Sequence, residues 1–202
     1  MAKQAERSYY HSLCDLAAAV NSAGTPDDVL RSIVENVANA MGAKGCSLIL
    51  VTPDREFLLH TAVYGLSDRY VIKGPVSADE SIAEALEGKP VAVLNAARDE
   101  RIQYRQQAKR EGIASILSVP MMLREEVIGV IRVYAGKPRQ FTQDDIYFVG
   151  AAANMGAIAL ENARLYEAVQ KDYDVFREEM LEWRAALGQE WRVGESVALL
   201  EE

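Results

Sequence analysis

Two apolar runs, Ile113–Leu123 and Val127–Tyr134, flank the charged triplet Arg124-Glu125-Glu126, and the pattern predicts a β-hairpin. A hairpin with one wet face alternates apolar with polar positions. Here Leu117, Val119 and Met121 share one face while Ile116 and Met122 share the other, and the second arm sets Val127, Ile131 and Val133 against Ile128, Val130 and Tyr134. A strand pair apolar on both faces has to be covered on both, so helices are expected on one side and a different cover, with room for a pocket, on the other.

Ahead of this hairpin, Leu13, Leu16, Ala17 and Val20 recur at helical spacing within 9–20, and the run stops in Asn21-Ser22-Ala23-Gly24. Thr25-Pro26-Asp27-Asp28 then offers a capping oxygen, a proline for the first helical position and acids for the positive end of the helix dipole. That second helix carries Val29, Leu30, Ile33, Val34, Val37 and Met41 and ends at Gly42. Strands are expected over 46–51 and 57–64 around the turn Pro53-Asp54-Arg55-Glu56. The stretch from Gly65 to Pro75 is irregular and predicts a loop over one sheet face. Ser77 and Glu80 form a capping box for a short helix with Ile82, Ala83 and Leu86 on one face, Val91–Leu94 is a brief strand, and Asp99–Glu111 predicts a polar helix with little apolar content, closed by Gly112. After the hairpin, Thr142 and Asp145 make a second cap with Phe141 placed to staple onto Ile146, and a long helix follows.

Composition narrows the function classes. The chain has 202 residues, half of them hydrophobic, enough for one core and an appendage. Thirty acidic against 22 basic residues give a net charge of -8, which argues against a nucleic-acid surface. No apolar run approaches the roughly 18 residues of a membrane span, and the N-terminal residues lack the apolar core of a signal peptide, so a cytoplasmic protein is expected. Cys14 and Cys46 form neither a CxxC pair nor a disulfide framework. His11 and His60 fall on different elements with no cysteine or carboxylate at ligand spacing, which leaves the metal set empty.

Several short motifs carry a resemblance: Gly65-Leu66, Glu87-Gly88-Lys89-Pro90, Ser118-Val119-Pro120, Ile128-Gly129-Val130, Phe141-Thr142-Gln143-Asp144-Asp145, and Ala157–Ala163. In this order, across residues 10 to 168, they resemble the GAF domain family. The resemblance implies an α+β fold: a central antiparallel sheet with terminal helices on one face and, on the other, a small-molecule pocket roofed by the segment from Gly65 to Gly112. It also implies that Pro120, unable to donate a ladder hydrogen bond, sits at a bulge. Members of the family sense ligands, relay conformational change, or dimerise, and a few are enzymes. The Asn-Lys element of cyclic-nucleotide-binding members is missing here, Asn95 being followed by Ala96. No cysteine lies between Gly65 and Gly112 to carry a bilin, and of the several pocket cysteines of the methionine-sulfoxide-reducing members only Cys46 has a counterpart near the pocket.

The expected function is therefore a non-catalytic sensory module, with a ligand-free dimerisation or interaction module as the alternative and no cofactor identified. Candidate ligand-binding residues are His60, Ile82, Arg101, Ser118 and Arg132. Arg132 interrupts the apolar alternation between Val130 and Tyr134; its guanidinium has to reach a ligand anion, a carboxylate or solvent. Ser118 is the polar residue of the other arm. His60 is open between a pocket contact and a sheet-edge histidine satisfied by backbone or solvent. Arg98, Arg101, Arg105 and Lys109 fall at helical spacing as a basic stripe, read either as an anion-facing or as a solvated face.

The chain divides into a sensory domain, 1–168, and a helical extension, 169–202. Leu165, Val169, Tyr173, Phe176, Met180 and Trp183, continuing to Leu187, settle to alternating three- and four-residue spacing, a coiled-coil seam for a homodimer. The alternative is an arm folded back on its own domain. Gly188 and Val193-Gly194 predict that the helix weakens there, and with no recognisable output domain after the seam, a separate output protein is the expected recipient of any signal.

Overall fold

The computed structural model describes residues 2–21, 25–74, 76–77 and 83–198. It contains a six-stranded antiparallel sheet in the order β3-β2-β1-β6-β5-β4, built from β1 (Gly45–Val51), β2 (Phe57–Tyr64), β3 (Val76–Ser77), β4 (Val91–Val93), β5 (Ser115–Leu123) and β6 (Glu126–Ala135). Among the described residues, six helices accompany it: α1 (Ala2–Val20), α2 (Pro26–Ala40), α3 (Asp68–Val71), α4 (Ala83–Leu86), α5 (Arg105–Glu111) and α6 (Gln143–Ala198). Residues Met1–Glu161 form one compact unit and Asn162–Glu202 a second.

The doubly apolar hairpin is central, β5 and β6 pairing from Ser115↔Ala135 to Leu123↔Glu126 around a two-residue turn in which Arg124 takes φ +57°. One face buries Cys46, Leu48, Leu117, Val119, Met121, Ile131 and Val133 against Leu30, Ile33, Val34 and Val37 of α2, Leu16 of α1, and Phe148, Val149, Ala152 and Ala153 of α6. Small residues let α6 come close. A Cβ at Gly156 would stand 3.3 Å from the Met121 sulfur and 3.4 Å from Leu48. The opposite face buries Ile49, Leu58, Val91, Val93, Ile116, Val130 and Tyr134 beneath Tyr70, Ala85, Ile102, Ala108 and Ile113. Two of the three helix caps read from the sequence form: the Asp28 amide donates to Thr25 Oγ1, and Thr142 and Asp145 exchange amide-to-side-chain hydrogen bonds.

Several expectations need correction. The first helix begins at Ala2, not near Tyr9. The loop from Gly65 contains α3, whose N-cap is Ser67, and β3 extends the sheet edge by two residues. The polar helix is only α5, a single cluster of seven residues starting at Arg105, so the basic stripe does not form: Arg98 and Arg101 lie in the turns before it. Asp99 explains the interruption, because its side chain accepts the Arg101 amide and holds a turn instead of a helical start. Ile128 joins the helix-side core, not the face of Val130 and Tyr134, because the register slips between Met121 and Met122 and skips it. Pro120 pairs regularly with Val130 one step before that bulge. β4 stops pairing at Ser118, so β5 is an edge strand from there on and tolerates proline. Helix α6 runs through Gly188 and Gly194 to Ala198; a helix-interior glycine costs only about 1 kcal/mol and does not by itself end a helix.

Candidate functional site

The roof-side face of the sheet is apolar except for one row and for His60, opposite Ile49, in the row beside it. Cα partners in antiparallel strands share a face, and the register aligns Ser47 of β1 with Arg132 of β6, and Arg132 with Ser118 of β5. All three are buried, Arg132 to 4% exposure. The next row adds Tyr134, whose hydroxyl is 2.9 Å from Ser47 Oγ, while the Arg132 guanidinium lies 6.0 Å from the Tyr134 ring centre. A buried guanidinium on an apolar face is costly to desolvate, which makes this row the place where the fold departs from simple packing.

The roof brings further polar groups to it. α3 is anchored by Ser67, whose amide and hydroxyl donate to Glu111 at 2.9 and 2.5 Å, and Tyr70 then packs edge-on against Tyr134 with ring centres 5.9 Å apart. At the end of α3, Lys73 Nζ donates to the Tyr70 carbonyl at 3.0 Å, lies 4.0 Å over the Tyr70 ring and 5.5 Å from that of Tyr104, and stands 3.3 Å from His60 Nε2. An ammonium has only protons to offer, so His60 Nε2 is the acceptor and Nδ1 carries the ring proton. Nδ1 is buried and has no hydrogen-bond partner among the described residues.

Charge here is crowded. Burial first, then the charges of Lys73 and Arg132, pushes His60 down to about 4. Burial, then Arg132, brings Lys73 down to about 8, with Glu111 opposing. Burial raises the phenols of Tyr70 and Tyr134. Burial alone would raise Glu111, but the Ser67 hydroxyl and amide, Lys44 and Lys73 hold it below the usual carboxylate range.

These groups set an acid limit to stability. His60 faces Lys73 of the roof and Arg132 of β6, with Tyr70, Tyr104 and Glu111 around Lys73. Its folded value, about 4, is below the unfolded one, near 6.5, so the unfolded chain binds the extra proton first. The stability this represents, roughly 3 kcal/mol at 1.36 kcal/mol per unit, is present above pH ~6.5 and is lost as pH falls through ~4. Urea titrations of the wild type and His60→Gln at pH 7 and 4.5 check this: the wild type should lose about 2–3 kcal/mol more than the variant.

Of the residues proposed from sequence, His60, Ser118 and Arg132 come together on this face. Arg101 does not: it is exposed, donates to both Asp99 carboxylate oxygens at 2.9 and 2.7 Å, and lies 3.6 Å from Glu84. Ile82 lies outside the described residues, as do Asp79 and Glu80 of the predicted capping box. Cys46 is fully buried on the opposite, helix-covered face, where burial raises its thiol well above the usual range. No group of three or more metal-ligating side chains occurs among the described residues. Sequence reasoning missed Ser47, Tyr70, Lys73 and Tyr134. Ser47 was the readable one, a hydroxyl inside the apolar run 46–51; Lys73 sits in a segment without periodicity.

A polar strut leads from this layer to the terminal helices. Ser115 Oγ donates to the Leu94 carbonyl at 2.7 Å and accepts the Arg139 amide at 2.9 Å. The Arg139 guanidinium donates to the Met41 carbonyl at 2.5 Å and to Asp145 Oδ1 at 2.8 Å, and the same oxygen accepts the Tyr9 hydroxyl at 2.5 Å. Tyr9 stacks on Phe148 with ring centres 4.3 Å apart.

Comparison with known proteins agrees with this architecture. A family model described as GAF domain matches residues 23–161. Among solved structures, the GAF domain of a phosphoenolpyruvate-protein phosphotransferase from Coxiella burnetii superposes with TM-score 0.71 at 20% identity, covering 80% of this chain and 98% of that one. The GAF domain of the corresponding Acinetobacter protein gives 0.66 at 25% identity over 77% and 94%. A free methionine-R-sulfoxide reductase from Neisseria meningitidis, in complex with its substrate, gives 0.66 at 17% over 78% and 91%. No curated protein matches the sequence.

Proposed function

Because the chain belongs to the GAF domain family, we propose that it is a non-catalytic sensory module that binds a small molecule between sheet and roof and signals through paired C-terminal helices. The observation that carries this reading is the buried row Ser47–Arg132–Ser118, with His60 and Lys73 set against it, on a face whose other residues are apolar. His60, Ser118 and Arg132 are the ligand contacts proposed from the sheet. Absence of catalysis is supported by Cys46, the one cysteine near the sheet, being shielded on the wrong face. The acidic chain, whose described helices are none of them long and apolar enough to cross a membrane, fits a cytoplasmic setting, and its net charge argues against a nucleic-acid partner.

Thermal-shift screening against a metabolite library, followed by calorimetry, tests the reading. A saturable ligand whose binding is lost in Arg132→Met and Ser118→Val supports it. Absence of any stabilising compound favours a second reading, a dimerisation module filled by its own side chains. Burial of Tyr70, Ile102, Ala108 and Ile113 against Ile49, Ile116 and Val130 is the observation on that side.

For output, the proposal assigns 1–168 to sensing and 169–202 to a helical extension, with a separate protein as recipient. Leu165, Val169, Tyr173, Phe176, Met180 and Trp183 are each at least 40% exposed and follow one another at intervals of four, four, three, four and three. Single exposed apolar residues need no explanation, but a periodic series of this size calls for a partner, and a self-complementary seam suits a second copy. The side chain of Leu187, which extends the seam, lies outside those described. Light scattering should find a dimer at tens of micromolar, and truncation after Leu165 should weaken association by at least ~100-fold, the scale of losing several large apolar contacts. A dimer unchanged by the truncation would remove the seam from the mechanism.

A further inference from the structure

Resting on the sensory reading, we propose that the molecule bound between sheet and roof is a small organic anion whose carboxylate or phosphate head is taken by Lys73, with the His60 Nδ1–H meeting a second acceptor atom of the molecule and Arg132 adding to the attraction. Two donors, on opposite edges of the His60 ring, want acceptors. The Lys73 ammonium has the Tyr70 carbonyl and the lone pair of His60, and no carboxylate within ion-pair distance among the described residues. The proton this leaves on His60 Nδ1 is buried without an acceptor among those residues. Glu111, the carboxylate that acts on Lys73, is itself held by both Ser67 donors and lies 3.8 Å from Lys44.

Electrostatics supports the geometry. Besides burial, the charges of Lys73 and Arg132 make His60 harder to protonate, and that of Arg132 does the same to Lys73, so both His60 and Lys73 are pushed below their ordinary values. An anion offsets that opposition, so its binding is tied to the protonated form of Lys73. Both His60 and Lys73 are half-buried, not sealed, which leaves the head group a route in. A neutral ligand of the same shape can accept a hydrogen bond but brings no charge to set against the Lys73 ammonium.

The test is calorimetry and thermal shift on the full chain with short mono- and dicarboxylates, inorganic phosphate and small phosphate monoesters, and the uncharged amides of the carboxylates. Binding by an anion, at least ~30-fold tighter than its amide, is expected. Affinity should fall as pH rises beyond about 8, where free Lys73 loses its proton, with proton uptake detectable as a dependence of the heat on the buffer. Lys73→Met should abolish that pH dependence and weaken the anion by a similar factor, and Lys73→Arg should restore part of it. Because Lys73→Met removes a half-buried charge, the ligand-free variant should melt no lower than the wild type, which separates lost binding from lost folding. Carboxylate against phosphate arms identify the head group. Amides binding as well as acids, or anion binding unaffected by Lys73→Met, overturns this proposal and leaves the sensory reading standing; no ligand of either kind overturns both.

Discussion

Asp145→Ala is expected to destabilise the protein by about 3–5 kcal/mol, the scale for breaking a buried ion pair from one side. Asp145 is 4% exposed; its carboxylate accepts three hydrogen bonds, from Arg139, Tyr9 and the Thr142 amide, and its own amide donates to Thr142 Oγ1 in the cap. Removing the carboxylate strands the Arg139 guanidinium, opens the first turn of α6 and leaves Tyr9 with only a long 3.4 Å contact to Arg139. The Tyr9 phenol, raised to about 12 by burial and then by Asp145, reports the same coupling. With roughly 2–4 °C lost per kcal/mol for a chain of this size, the melting temperature should fall by about 10 °C. Tyr9→Phe removes one hydroxyl from the network and should cost only about 1 kcal/mol. Equal losses in urea titrations of the two variants would show that Asp145 is not the hub.

The second large effect is expected at the centre of the sheet. A Cβ at Gly129 would lie 2.5 Å from the Ile49 carbonyl oxygen and 3.0 Å from both Leu50 Cδ2 and Met121 Cε. Side chains can turn aside, but the carbonyl belongs to the β1–β6 ladder, so Gly129→Ala has to part the two strands that carry Ile49 and Arg132. A cost above about 3 kcal/mol is expected, together with loss of ligand binding. Gly88→Ala is the control: that glycine has φ +85° but open space around it, so only about 1 kcal/mol of backbone strain is at stake. Comparable penalties in denaturant titrations of the two would argue that close strand approach does not matter.

The order of layers was legible because the hairpin repeats apolar residues on both faces, and no other arrangement covers both. The caps at Thr25 and Thr142 were legible because a capping oxygen, an acid and a following apolar run occur together. Two short elements, α3 and β3, were not: with four residues and two, they are too short for a period to show. The basic stripe failed for a related reason, since spacing alone cannot see that the Asp99 side chain folds the chain into a turn before α5. At the site, Arg132 and Ser118 stood out as polar interruptions of apolar strands, but their pairing needed the register, and a bulge such as that at Met121/Met122 is invisible in a sequence. Lys73 reaches His60 only through the path of the roof, which no local pattern specifies.

The strut from Leu94 through Ser115, Arg139 and Asp145 to Tyr9 gives the sensory reading a physical route to the helices, because Leu94, just after β4, and Asp145, at the start of α6, are linked through Ser115 and Arg139. Whether both ends of it respond to one ligand is a question of coupling, answered by measuring binding in Asp145→Asn, which keeps the shape and weakens the charge.

The most direct measurement is a crystal structure of the protein as isolated from its native host, or soaked with the tightest compound from the screen. The account predicts electron density between sheet and roof, within hydrogen-bonding distance of Lys73 and His60 and beside the row Ser47–Arg132–Ser118. A space closed by the chain's own side chains, or density for the compound at a site elsewhere, would contradict it.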